Sequence, residues 1–322
     1  MQVLRSIGEA CHQMKYPRRL YKYKSFSSLS LSLLIEDQIF LADPASFNDP
    51  LDTKPALKVD IEHSSLLAIL DLLLRKRYLA EAAAASRTIG HNLGNVESNS
   101  RERARKSVFR KVGQEIFLHR GGPMDDEMLS VVVSVIEDEL LRAYGWGILS
   151  LAERSNCPLM WSHYGDQHRG ICLGYSVPEN SGLNLKKVKY GGPRQVNASD
   201  VLAMLKDVPR ATEAVDTNVL LRKAHSWRYE REWRLIGQRG LTDSSLELEE
   251  VVFGLRCPNS VKHAVGCGLE GRGREVKLFE IREQPGTFKL RKYVVNMDEL
   301  KSGYPRHVLG ALEGFDDLTA QK

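Results

Sequence analysis

"HSWRYEREWRLIG", residues 225–237, sets two carboxylates, two tryptophans and three arginines within a few positions of one another. Read as extended chain, alternate side chains share a face, so Glu230, Glu232 and Arg234 line one side and Tyr229, Arg231, Trp233 and Leu235 the other. Leu235 and Ile236 carry the segment into an apolar interior, where a carboxylate needs a partner or a task. The stretch is therefore expected to be a late strand that delivers acid groups to a core or a cleft.

Working outward, the period-two signal recurs. "GWGILSLAE", "GICLGYSV" and "LKKVKYG" precede the opening strand, and "EEVVFG" and "EVKLFEI" follow it, with "NSVKHAVGCG" reading as a short helix between the last two. "ASDVLAMLKDVPRATEAVDTNVLLRKAH" reads as one helical stretch. Nearer the start, "LYKY" and "IFLAD" read as strands and "FNDPLD" as a loop. "SSLSLSLLIEDQ" fits both periods, since Leu29, Leu31 and Leu33 alternate while Leu29, Leu33 and Leu34 share a helical face. A helix is predicted there, because a fresh apolar run begins directly after "EDQ".

Residues 61–144 change character. "SSLLAILDLLLRKRYLAEAAAAS" is rich in helix formers, with Ser64 or Ser65 as its cap, and "PMDDEMLSVVVSVIEDELLRAY" begins with proline and acids where a helix start favours them. Between them, the loop "HNLGNVESNS" leads into the basic helix "RERARKSVFRKVGQEIFLHR". The expected fold class is α+β, a mixed sheet core with a helical insertion at 61–144. No internal repeat or low-complexity linker divides the chain, so residues 1–322 are expected to form a single domain.

Composition excludes some classes. With 42% hydrophobic and 27% charged residues, the chain has the make-up of an ordinary globular protein and not of a disordered one. Lys and Arg outnumber Asp and Glu by 46 to 41, an excess too small to select a partner. No apolar run reaches the ~20 residues that span a bilayer, and, with no continuous apolar stretch among the first 20 residues, a secretory leader is not expected. Five cysteines (Cys11, Cys157, Cys172, Cys257 and Cys267) without a C-x-x-C pair fit a reducing compartment. A cytoplasmic protein with no membrane partner is the expectation.

Several motifs could carry chemistry. Asn48 and Asp49, before Pro50, form a turn whose side chains bond nearby backbone. His163 and His168 stand five apart, and the i, i+4 spacing that aims two imidazoles at one metal is four. No metal is expected there, and the pair, with Trp161 and Tyr164, reads better as an aromatic and polar pocket wall. Cys257, His263 and Cys267 are a loose set assigned to core and loop. Ser150 ends a short apolar strand without a G-x-S-x-G elbow, which gives no support to serine hydrolase chemistry. The basic run Arg101, Arg103, Arg105, Lys106, Arg110 and Lys111 is a solvated face or a contact for an anionic polymer.

"LYKY", "FNDPLD", "SLAERSNCPLMWSHYGDQHRGICLGY" and "WRYEREWRLIG" followed by "EEVVFG" resemble, in this order, the signature blocks of the bacterial DUF2971 family, an uncharacterised group often found near phage-defence genes. The resemblance covers residues 20–52 and 146–256; Leu51 stands where an aromatic residue is common after Asn-Asp-Pro. The order of elements is also similar to the ADP-ribosyltransferase fold. That second resemblance implies NAD as cofactor and three roles: a first-strand contact (Tyr21 or Lys22, where Arg or His is usual), a middle-strand support (Ser150) and a late-strand carboxylate (Glu232). Glu230 and Glu232 would form a Glu-x-Glu arrangement, one holding a ribose hydroxyl and the other orienting the acceptor. The implied enzyme is an ADP-ribosyltransferase-like glycosyltransferase acting on NAD or a nucleotide. Breaking an N-glycosidic bond builds positive charge on the ribose, which a fixed carboxylate in a water-poor cleft stabilises.

Two other classes compete. One is a module that binds a nucleotide or nucleic-acid end through Asn48, Asp49, His163, His168, Glu230 and Glu232, with phosphate contacts from Arg101 to Lys111. The other is a metal-dependent nuclease or hydrolase using Asp49, His163, His168 and Glu232. In each case the helical insertion is expected to cover the site or recognise the partner, and to do no chemistry.

Overall fold

The computed structural model describes residues 16–89, 96–118, 125–143, 145–179 and 181–306. Its strands, in chain order, are β1 (Leu20–Lys24), β2 (Gln38–Leu41), β3 (Ala56–Lys58), β4 (Trp146–Ala152), β5 (Ile171–Ser176), β6 (Leu185–Lys187), β7 (Lys189–Tyr190), β8 (Gln195–Asn197), β9 (Arg222–Lys223), β10 (Glu232–Gln238), β11 (Gly240–Asp243), β12 (Glu247–Phe253), β13 (Lys277–Glu283) and β14 (Leu290–Val294). The helices are α1 (Ser28–Ile35), α2 (His63–Ile89), α3 (Val96–Leu118), α4 (Asp126–Ala143), α5 (Pro158–Tyr164), α6 (Ala198–Leu205), α7 (Pro209–Leu220), α8 (Asn259–Gly268) and α9 (Met297–Gly303). Helices stand beside sheet of both strand directions, so the fold is α+β. The chain divides into two compact units, and it crosses between them at 39/40, 150/151, 182/183 and 242/243.

The first unit is built on strands in the order β14-β13-β12-β5-β1. β1 runs antiparallel to β5 from Leu20↔Tyr175 to Lys24↔Ile171, and β5 antiparallel to β12, with a register shift between Leu248 and Glu250. β12 and β13 are parallel. Parallel neighbours need a crossover, which α8 supplies. β5 reads almost wholly apolar because five of its six residues are buried. α1 forms here, settling the ambiguous "SSLSLSLL" in favour of helix. Ser27 accepts the Ser30 N–H at 3.1 Å while the Ser30 hydroxyl accepts the Ser27 N–H at 2.7 Å, so both ends of a capping box are closed.

The second unit holds the helical segment. Leu66, Ile69, Leu70, Leu73 and Leu74 recur on one face of α2, Ala104, Val108 and Val112 on α3, and Val132, Ile136 and Leu140 on α4; all are buried in one cluster with residues of α6 and α7. Asp125 caps α4, its carboxylate accepting the Met128 N–H at 2.8 Å, and Asp126 and Glu127 fill the first turn. α3 is interrupted at Gly113, where φ is +81°. The same unit contains β10, paired antiparallel with β6, and the short parallel pairs β3/β8 and β7/β9.

Four local expectations are corrected. α2 begins at His63, so Ser64 and Ser65 lie inside its first turn and neither is the cap. "LKKVKYG" is two strands, β6 and β7, parted at the buried Val188. The long helical stretch from 198 breaks after Leu205: Asp207 takes a left-handed φ of 60° and Pro209 starts α7, so the proline ends one helix and opens the next. The extended reading of 229–235 holds only from Glu232. His225–Glu230 is a 3₁₀ turn, and Arg231, at φ 48°, is left-handed. Residues 90–95, 119–124 and 144, part of the predicted insertion, lie outside the described residues.

Candidate functional site

The question raised by Glu230 and Glu232 has a structural answer that strand alternation does not provide. The two carboxylates come from different elements, one ending the 3₁₀ turn and the other starting β10. The left-handed Arg231 between them folds both onto a single cation. Lys223 Nζ, on β9, lies 2.6 Å from Glu230 and 3.1 Å from Glu232. A third carboxylate, Asp52, is 3.3 Å from the same ammonium.

Arg234 closes the cluster from the other side. Its Nε donates to Glu232 at 2.8 Å, its Nη2 donates to both oxygens of Asp52 at 2.9 and 2.7 Å, and its Nη1 donates to the Leu220 carbonyl at 2.6 Å. The five side chains are buried, Arg234 at 0% exposure and Lys223, the most exposed, at 7%. Aromatic rings cap the cations: Trp227 lies 5.2 Å from Lys223 Nζ, and Phe47 lies 5.3 Å from the Arg234 guanidinium carbon. Desolvated charges persist only when each is paired and hydrogen-bonded, as these are.

The electrostatics follow from that packing. Burial alone would raise the Glu232 carboxyl, but the charges of Arg234 and Lys223 and hydrogen bonds from Arg234 and Ser150 outweigh it and hold the group down at about 2. Burial would likewise lower Lys223, and the charges of Glu232, Glu230 and Asp52 overcome it and raise the group above the ordinary lysine range. Tyr190 is raised chiefly by burial; its hydroxyl oxygen accepts the Glu232 N–H at 2.7 Å. At neutral pH Glu232 is an anion and Lys223 a cation, so Glu232 can act as a fixed charge and not as a proton donor.

Asp52 reaches the cluster because of the "FNDPLD" turn. Asp49 accepts the Leu51 N–H on its side chain at 2.9 Å and the Asp52 N–H on its carbonyl at 3.0 Å, which turns the chain and aims Asp52 inward. Asp49 also lines a small cleft of about 100 Å³, together with Asp52, Lys54, Glu137 and Asp138. Asp49 thus has the turn role expected of it, and the carboxylate that enters the buried cluster is the one three residues on.

Ser150, Asn48, Asp49, Glu230 and Glu232 belong to the second unit; Tyr21, Lys22, Trp161, His163, Tyr164 and His168 belong to the first. There the Tyr21 hydroxyl is hydrogen-bonded to Glu250, and burial first, then that carboxylate, pushes it up to about 12. Trp161 is fully buried, donates through Nε1 to the Ser155 carbonyl at 2.8 Å and meets Tyr23 edge-on, so it is core and presents no open ring face as a pocket wall would. His168 stacks on Trp161 at 6.3 Å, and its Nε2 is 3.3 Å from the Ser162 hydroxyl. His163 is exposed, with Tyr164 beside it at 6.3 Å between ring centroids. Burial, then the Arg256 charge, lowers the His168 imidazole, which favours its neutral form.

Asp52, Lys223, Arg234 and Tyr190 are the residues missed as site members. Arg234 stands as a lone charge at the start of an apolar run, which is the available signal for it, whereas Asp52 lies in a polar turn and carries none. Lys223 and Tyr190 carried none, because their partners lie on other elements.

The comparison with known proteins bears on these same residues. Residues 160–235 match the family model "Protein of unknown function (DUF2971)". The DUF2971 match supports that family, and it takes in Lys223, Glu230, Glu232 and Arg234 as well as the Trp161–His168 turn. It leaves Tyr21, Lys22, Asp52 and Ser150 outside. No curated protein and no solved structure matches the chain.

Proposed function

We propose that the second unit supports ADP-ribosyltransferase-like chemistry on NAD or a nucleotide, with Glu232 as a fixed anion. One observation carries this reading. Ser150 of β4 is hydrogen-bonded to Glu232 of β10, so the residues to which the resemblance gives the middle-strand and late-strand roles meet. Stabilising an oxocarbenium-like ribose requires a carboxylate that stays ionised and does not reorient, and Arg234 and Ser150 supply both conditions. Lys223 marks the place where positive charge is favoured, since three carboxylates converge on its ammonium.

The burial of Glu232, only 3% exposed, favours a second reading. There the cluster is a scaffold, and the 3₁₀ turn it anchors, with exposed His225, Arg228 and Arg231 beside Trp227 and Tyr229, holds a nucleotide without reacting.

Nicotinamide release from NAD separates the two. The chemical reading expects release by the native protein, with at least a ~10³-fold fall in Ser150→Ala and Glu232→Gln together, an effect of the size seen when transition-state charge stabilisation is removed. NAD that raises the melting temperature without turnover supports the scaffold reading. NAD and nucleotides that neither bind nor react overturn both.

A further inference from the structure

One region of the helical segment gathers more cations than the carboxylates beside them pair with. Glu139 of α4, whose side chain is 0% exposed, is shared by Arg77 of α2 at 3.3 Å, Lys111 of α3 at 3.1 Å and Arg142 of α4 at 3.3 Å. Arg77 Nε and Glu139 Oε2 face one another but are misaligned, and each is buried without a hydrogen-bond partner. Beside them, the guanidiniums of Arg77 and Arg103 lie 4.9 and 4.7 Å from the ring of Tyr78. The Tyr78 hydroxyl is 2.6 Å from that of Ser107, which accepts from Arg110 at 3.3 Å.

Five cations from three helices thus surround one ring and one buried acid. The other carboxylate among the described residues that pairs with any of them is Glu81, 3.8 Å from Arg77. Like charges so close repel one another unless an anion offsets them.

The outer face of α3 is arranged differently. Arg101 is paired with Glu97 and Lys106 with Glu102, both at i, i+4, which is how a solvated helix face balances its charge. The two readings of the basic run, solvated face or anionic contact, therefore apply to different sides of the same helix.

From this excess we infer that Arg77, Arg103, Arg110, Lys111 and Arg142 form a binding site for closely spaced phosphate groups. Guanidiniums recognise phosphate bidentately, and those of Arg103, Arg110 and Arg142 stand at exposed positions that a phosphate can reach. The ring of Tyr78 is buried and cannot stack on a base, so the site reads phosphate and not sequence. The site stands independently of the Glu232 chemistry, and its readout is binding alone.

Fluorescence anisotropy on the full chain tests it with a labelled single-stranded oligonucleotide and with inorganic triphosphate as competitor. Arg103→Ala with Arg110→Ala, both at exposed positions, is expected to weaken oligonucleotide or triphosphate binding at least ~10-fold. The slope of log affinity against log salt should fall by about 1 to 2, as each lost phosphate contact requires. Arg101→Ala with Lys106→Ala should stay within ~2-fold of the native protein. Glu139→Gln removes the acid that competes for these cations and should tighten binding several-fold. Displacement of the oligonucleotide by micromolar triphosphate assigns the site to a free polyphosphate; binding that triphosphate does not displace assigns it to a nucleic-acid backbone. Absence of binding to both probes overturns the inference, and so does an equal loss in the outer-face variant.

Discussion

Glu232 illustrates how far a single side chain depends on its surroundings. Replacing it with Gln keeps the volume and leaves two carboxylates, Asp52 and Glu230, facing the two buried cations, so the loss is that of charge-assisted hydrogen bonds from Lys223 and Arg234, about 1.5 to 3 kcal/mol. Denaturant unfolding at pH 7 should show that loss; a change below about 0.5 kcal/mol, the scale of an ordinary surface substitution, would mean that the cluster does not hold the fold. The pH dependence has a definite sign. A carboxyl held near 2 when folded and 4.5 when unfolded contributes stability that is complete above 4.5 and is lost as pH falls through 2. Between those values the native protein should lose more stability than Glu232→Gln, as unfolding curves at pH 6 and pH 3 can establish. An activity assay on Glu232→Gln therefore has to be run well below that variant's melting temperature, or a folding defect will pass for a catalytic one.

At the scale of elements, the turn between α5 and β5 stores backbone strain. Asp166, Gln167 and His168 are consecutive left-handed residues, with φ of 49°, 50° and 72°. Each such residue is unfavourable for a side chain bearing Cβ, and the conformation persists only when its neighbours over-determine it. They do so here: the His168 N–H donates to the Trp161 carbonyl at 3.2 Å, the Arg256 N–H donates to the His168 carbonyl at 2.8 Å, and a Cβ at Gly254 would fall on that same carbonyl. Gly254→Ala is expected to destabilise by about 1 to 3 kcal/mol, the usual range for overpacking. Gly273→Ala, with open space around it, should stay within about 0.5 kcal/mol. Thermal unfolding of the two variants side by side is the measurement, and equal melting temperatures would show that the turn can relax. "GDQHRG" gives no warning of this strain, because three left-handed residues in a row are imposed by contacts with Trp161 and with Gly254 and Arg256, just after β12, and not by local preference.

At the scale of the molecule, the helical segment shares its interior with later parts of the chain. Val201 of α6, Val215 and Val219 of α7, Ile148 of β4 and Ile236 of β10 are buried in the same cluster as the apolar faces of α2, α3 and α4. Removing residues 61–144 would expose that surface, and the shortened chain is expected to lack a cooperative unfolding transition by circular dichroism; a sharp transition would make the segment a true insertion on an independent core. The sequence by itself determined the α+β class, nearly every long element and the early and late strands, since periodicity, caps and prolines act within a few residues. It also marked Glu230, Glu232 and Ser150, because a polar group at the edge of an apolar run stands out locally. Only the tertiary structure decided that both glutamates close on Lys223, that Asp52 and not Asp49 joins them, and that Trp161 is core. The pairs Asp52/Arg234 and Arg77/Glu139 lie 182 and 62 positions apart in the chain, and which distant charges meet is fixed by packing and desolvation, which no local pattern records.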